Sequence, residues 1–184
     1  MYQTLLSIAI MVCSYSAWAA DFSLQVKGLD KDGSFSQQHV LSENYGFGCT
    51  GKNLSPELVW HHAPKDTKSF VLTIYDKDAP TGLGWVHWQV VNIPAHVNRL
   101  PMGINAENDK LPQGALQTRT DFGVAGYGGV CPPQGEKHRY EITLTALKVD
   151  KLPQVTTDSM PALVGFFTKA NAIGEAKVVI EDQR

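Results

Sequence analysis

The chain has 184 residues, 18% of them charged, and a formal charge of -2 with no long block of either sign. That length suits one domain with a sizeable core, and the charge excludes the basic field that nucleic-acid binding needs. Sixteen glycines and ten prolines, spread between apolar runs, point to a loop-rich, mainly β fold rather than a helical bundle.

The first element in chain order reads as an export signal. Leu5 to Val12 is apolar but too short to anchor in a bilayer, and Ala17–Trp18–Ala19 has the small-x-small pattern of a signal-peptidase site. The leading residues Met1 to Thr4 carry no Lys or Arg, so the signal rests on the apolar run and the cleavage pattern. Val12 before Cys13 is wrong for a lipoprotein site. The expectation is a cleaved segment 1–19, then a single periplasmic domain 20–184 with no membrane span. Cleavage leaves Cys49 and Cys131. An even count in an oxidising compartment favours a disulfide, two buried free thiols being the other reading. Their spacing matches no zinc motif.

Phe22, Leu24 and Val26 alternate with Ser23, Gln25 and Lys27, the pattern of a half-buried strand. Phe35 to Leu41 reads as another. Gly46 to Pro56 is a long loop by its Gly, Asn and Pro content. His61 and His62 beside Trp60 have the look of a solvated strand end. Phe70 to Tyr75 is a continuous apolar and β-branched run, as a central strand would be. Trp85 to Ile93 is the next strand, stopped by Pro94, which cannot donate to a ladder. Ala95 to Tyr127 is a long excursion expected to cover a sheet edge, with Arg119 and Asp121 as an ion pair flanking a loop. In Tyr140 to Val149, Tyr140, Ile142, Leu144 and Ala146 share one face. One helix is predicted, capped by Asp158 or Ser159, with Pro161 in its first turn and Met160, Leu163, Val164 and Phe167 as its apolar stripe. Gly174 marks its end, and Lys177 to Glu181 reads as the last strand.

Chemistry gathers at two loops. If the strands ending at Asp76 and beginning at Val86 are antiparallel neighbours, Asp76 and His87 come within reach of a carboxylate–imidazole hydrogen bond, which would orient the ring and raise its pKa. Asp78 shares the parity of Asp76, and Ala79–Pro80–Thr81–Gly82 turns the chain away. In the second loop Gly128–Gly129 permits close approach, Pro132–Pro133 stiffens the wall, and His138 and Tyr140 point to one face. Backbone N–H groups around Gly128 to Cys131, with one imidazole and one phenol, suggest an anion cradle. A Cys49–Cys131 bond would pin this loop to the Phe47–Ser55 loop.

Asp76–Lys77–Asp78–Ala79–Pro80, Trp85–Val86–His87–Trp88 and Pro132–Pro133–Gln134–Gly135 followed by His138–Arg139–Tyr140 resemble motifs of the phosphatidylethanolamine-binding protein (Raf-kinase-inhibitor-like) family. Asp121–Phe122–Gly123, Tyr127–Gly128–Gly129 and Asn53–Leu54–Ser55–Pro56 are similar to its bacterial exported, YbcL-type branch. The resemblance implies an antiparallel β-sandwich with peripheral helices and a small anion pocket lined by Asp76, Asp78, Pro80, His87, Pro132, Pro133, His138 and Tyr140, with Gly129 and Cys131 supplying backbone. Lys77 stands where the family usually has proline and adds a cation nearby. The short C-terminus, Lys177 to Arg184, has no tyrosine, which argues against the pocket-closing C-terminal helix of the animal relatives.

The function expected is a non-enzymatic pocket protein binding a small phosphate, carboxylate or phosphorylethanolamine-like ligand, with no cofactor, and modulating another protein. His87 and His138 would act as donors. A metal-assisted hydrolase is the second reading, although no His-x-x-x-His metal helix and no Gly-x-Ser-x-Gly elbow is present. The third is an inhibitor or interaction protein with a vestigial pocket. A homodimer is the base-rate expectation for quaternary state.

Overall fold

The computed structural model describes residues 21–104, 106 and 110–184; the export signal read over residues 1–19 lies outside the described residues. The elements run β1 (Ser23–Lys27), β2 (Glu57–His61), β3 (Ser69–Asp76), β4 (Trp85–Pro94), β5 (Arg99–Leu100), β6 (Leu116–Gln117), β7 (Lys137–Leu147), α1 (Pro161–Asn171) and β8 (Ala172–Gln183). They form two antiparallel sheets, β1-β2-β5 and β6-β4-β3-β7-β8. This is a mainly β sandwich with one late helix, as the alternation of apolar positions implies.

The core lies between the sheets because period-2 patterning turns Leu24, Leu58 and Trp60 of one sheet toward Phe70, Leu72, Ile74, Trp88, Ile142 and Leu144 of the other. Trp60 stacks edge-on to Phe70 at 5.6 Å, and burying each such side chain contributes roughly 1.5–3 kcal/mol. The Trp88 indole, wholly enclosed, donates to Gln117 Oε1 at 2.6 Å, which ties the edge strand β6 to β4. The other face of the five-stranded sheet is covered too. Val71, Val91 and Leu147 pack there with Leu152 and with Val164 of α1. The excursion from Ala95 to Tyr127 supplies β5 and β6, which pair with β2 and β4, so it covers an edge of both sheets as expected.

Several local expectations are corrected. Phe35 to Leu41 is not a strand. Its ladder pairing is limited to isolated bridges, Leu29 to Phe35 and Val40 to Val130, and its carbonyls accept from the following loop, with Gly51 N donating to Leu41 O and Leu54 N to Gln38 O. The start of strand β2, immediately after Pro56, is hidden by the loop-like residues before it, while His61 ends it as an exposed residue beside Trp60, the solvated strand end expected there. Helix α1 has Met160 at its N-cap with no side-chain cap. Asp158 is instead paired with Arg119 at 3.1 Å, and Ser159 Oγ accepts from Thr156 N at 2.9 Å. Only Val164 and Thr168 of the helix are buried, while Met160, Leu163 and Phe166 face out. The helix runs straight into β8 after Asn171, so Gly174 is inside a strand rather than a stop. Strand β8 starts five residues earlier than Lys177 because all of β7 is there to pair with it.

Candidate functional site

The pocket forms where β3 and β4 leave the sandwich. Their register runs Ile74 to Trp88 and then Tyr75 to Val86, so β4 carries one extra residue, and that residue is His87. A bulge re-aims its side chain and increases the local twist. The ring is buried, and its Nδ1 lies 2.9 Å from Gly128 O and 3.1 Å from Gly129 O. Both partners are carbonyls, so Nδ1 carries the proton and donates. Burial pushes the His87 pKa down from its ordinary 6.5 despite those bonds and the nearby Asp76. A neutral ring protonated at Nδ1 presents Nε2 as a lone pair.

Asp76 does not bond to His87. At the end of β3 it sits opposite Tyr140 of β7, and the diagonal neighbour on the same face is His138. Its Oδ2 accepts from His138 Nδ1 at 2.7 Å, and its Oδ1 accepts from the Asp78 amide at 3.0 Å. His138 Nε2 is also occupied, 3.0 Å from Glu136 Oε2. Burial opposes charge on this imidazole, but the hydrogen bonds to Glu136 and Asp76 outweigh it and raise its pKa. Two histidines of one wall are therefore tuned in opposite directions, one neutral and one held as an imidazolium between two carboxylates.

A cavity of about 180 Å³ opens against them. Six of the residues read from sequence line it: Asp76, Pro80, His87, Cys131, Pro133 and His138. Four do not. Asp78 turns outward into a two-pronged pair with Arg139, Nε to Oδ2 at 2.7 Å and Nη2 to Oδ1 at 2.5 Å, and the guanidinium holds its carboxyl far below the usual range. Pro132 faces the neighbouring cavity on the far side of Cys131. Tyr140 lies behind His87, ring centroids 5.3 Å apart, with a buried hydroxyl that makes no hydrogen bond of good geometry. Gly129 donates its amide to Asn53 Oδ1 at 2.7 Å. A Cβ at that position would lie 2.5 Å from both His39 O and Leu41 N, so only glycine lets the loop come this close.

The loop amides are accordingly not an anion cradle. Gly128 N donates to His87 O and Val130 N to His39 O, so these groups hold the loop rather than a ligand. Lys77 is also accounted for, pairing with Glu141 at 3.3 Å. Asp121 pairs with no arginine; its carboxylate accepts from Val86 N at 2.6 Å and fixes the start of β4. Cys49 and Cys131 are bonded, with Cα atoms 6.1 Å apart, and the bridge carries the Phe47 loop to the pocket rim.

Sequence reasoning missed the aromatic wall. Phe47, Trp85 and Phe122 line the cavity with Leu41, Ala79 and Thr81. Trp85 and Phe122 meet at 5.3 Å, Phe47 and Phe122 at 5.9 Å, and His87 and Phe122 at 5.4 Å. Phe47 was legible, since a Cys49–Cys131 bond must carry a residue two positions from Cys49 to that wall. Phe122 belongs to the Asp121–Phe122–Gly123 motif noted in the sequence, but its place in a turn gives no sign that the ring joins the pocket wall. The wall suits an apolar or cationic group, because aromatic faces attract ammonium. Among the described residues no three His, Cys, Asp or Glu side chains are grouped so as to hold a metal ion, and no helix is long and apolar enough to cross a membrane.

Comparison with known proteins agrees with this geometry. Residues 31–181 match the family model described as phosphatidylethanolamine-binding protein. The UPF0098 protein YbcL of Escherichia coli is 46% identical over 180 residues, covering 97% of this chain and 96% of its own. The UPF0098 protein YbhB of the same organism is 46% identical over 141 residues, covering 77% and 87%. The crystal structure of E. coli YbcL, described as a new member of the mammalian PEBP family, superposes with a TM-score of 0.83 over 90% of this chain and 99% of that one. A putative PEBP homolog from Chlamydia trachomatis, 26% identical, superposes with a TM-score of 0.63 over 89% and 97%.

Proposed function

Because this chain belongs to the phosphatidylethanolamine-binding protein family, we propose that it is an exported, non-enzymatic pocket protein that binds a small phosphorylated or carboxylated ligand, preferably a zwitterion of the phosphorylethanolamine kind. The observation that carries this reading is the pairing of unlike surfaces in one cavity: an imidazole lone pair and a carboxylate on one side, three aromatic rings on the other. The Asp76 carboxylate and the aromatic faces suit an ammonium group. His87 Nε2 accepts a proton from a protonated oxyanion, or takes one up as an ionised oxyanion arrives. The roles differ from those expected at first, since neither histidine is a free donor in the unliganded protein.

The test is a two-dimensional NMR titration of the mature chain with phosphate and with phosphorylethanolamine, beside His87→Ala. Saturable shifts at His87, Trp85 and Phe122 are expected, lost in the variant, with phosphate affinity improving as pH falls toward and below about 6.5 and His87 is more easily charged. No shifts at millimolar ligand would sink the reading.

Export and self-association belong to the same proposal. The Cys49–Cys131 bond supports an oxidising compartment, and symmetric dimers are the commonest assembly. Native mass spectrometry of the secreted chain checks both: the expected spectrum shows a chain beginning near Ala20 and a dimer, and an uncleaved monomer would contradict both.

A further inference from the structure

The second partner of His138 does not belong to the sandwich wall, and its placement has a consequence for binding. We infer that Glu136 is a built-in competitor for an anion at His138, the residue shared by the pocket and the shallow cavity that Glu136 lines with Asp78, Lys137, Arg139 and Glu181: its carboxylate occupies His138 Nε2 from that side and must swing away before a ligand oxyanion can use that nitrogen. This rests on the pocket reading above and adds to it a residue that sets affinity.

The two carboxylates on His138 are unlike. The Asp76 side chain is 5% exposed and is tied to both the imidazole and the Asp78 amide, so it is a fixed part of the wall. The Glu136 side chain is 51% exposed, and among the described residues His138 is its one polar partner. Its backbone, by contrast, is held. Glu136 N donates to Pro133 O, Gly135 N donates to Arg184 O, and Arg184 N donates to Glu136 O, with Gly135 at φ 82 making the turn. A fixed main chain with a half-exposed, singly bonded side chain behaves as a short tether carrying an anion.

The charges around it leave few other destinations. Arg139 is committed to Asp78, and Lys137 to Glu181. With Glu136 in place, His138 is enclosed, 3% exposed in its side chain, and its positive charge is matched by two negative ones. An incoming phosphate or carboxylate replaces Glu136 in kind, anion for anion, at the same nitrogen. The exchange is cheap because a half-exposed carboxylate leaving for water gives up little.

The experiment compares wild type with Glu136→Ala, a substitution at an exposed turn position that removes no core contact. Phosphate affinity is measured by NMR titration, and the His138 ring is titrated by its own ¹⁵N resonances without ligand. The variant is expected to bind phosphate about two- to fivefold more tightly, to show ligand shifts at His138 that are weaker in wild type, and to have a lower His138 pKa. Equal affinity in the two proteins, with His87→Ala still abolishing binding, overturns this inference and leaves the pocket reading standing. Absence of phosphate binding in both overturns the two together. An unchanged His138 pKa overturns the inference as well, because the carboxylate would then not lie on the ring in solution.

Discussion

Replacing Cys49 and Cys131 together by serine is expected to lower the unfolding free energy by about 4 kcal/mol, the largest loss from any change confined to the site. The bridge closes a loop with a sequence separation of 82, and that loop contains β2, β3, β4, β5 and β6. Cross-linking so long a loop removes conformations from the unfolded chain, and the gain grows slowly with loop length. Urea denaturation of the variant, and of wild type with the bond reduced, should give the same displaced midpoint. In a chain of this size the thermal midpoint should fall by roughly 10 °C.

The bond also carries function. Cys131 lines the cavity, and Phe47, two residues from Cys49, forms its rim. Arg184 Nη1 lies 2.8 Å from Cys49 Sγ and 3.2 Å from Phe47 O, so the chain end clasps the same corner. With the bridge gone, Phe47 is held by its ring contacts to Trp85 and Phe122 and by Arg184 on its carbonyl, a looser hold, and phosphorylethanolamine affinity should weaken with stability. A loss below about 1 kcal/mol would mean that residual structure in the reduced, unfolded chain already keeps these loop ends close. That outcome would overturn the entropic account.

What the sequence revealed follows from which interactions are local. Strand β7 was legible because burial of one face imposes period 2 on residues such as Tyr140, Ile142 and Leu144; β3 and β4 were legible as apolar, β-branched runs buried on both faces, and Pro94 announces the end of β4 in the sequence itself. The partner of Asp76 was not legible. Carrying the Phe70–Ile93 register forward without a bulge puts Asp76 beside His87, and two extra residues in β4, one between Phe70 and Leu72 and one at His87, send His87 to the Gly128 and Gly129 carbonyls and leave His138 for Asp76. Two inserted positions thus exchange the roles of two histidines, and the residue types beside His87 do not announce the second bulge. The same limit hid Glu136, which is two residues from His138 and looks like any solvated turn acid. Family resemblance found the right loops; it did not say which atoms were already taken.

Asp76→Ala should be the most damaging point substitution in the pocket, costing about 3 kcal/mol near neutral pH, because it strands a buried imidazole that has lost its buried partner. The pH dependence has a definite sign. His138 has a folded pKa raised above 6.5, so its contribution to wild-type stability is complete below pH 6.5 and is lost as pH rises through the folded value. His87 has a folded pKa lowered below 6.5, so its contribution is present above pH 6.5 and is lost as pH falls through the folded value. In wild type the two histidines oppose each other on the acid side. Removing Asp76 takes away much of the His138 gain and one of the charges that limits the His87 depression. The variant should therefore grow steadily worse than wild type as pH drops below 6.5, and the gap should narrow above the His138 folded pKa without closing, since the neutral ring still loses a hydrogen-bond acceptor. Urea unfolding at pH 5.5, 7 and 8.5 reads this directly, and a deficit that stays constant across the three would show that His138 carries no charge beside Asp76.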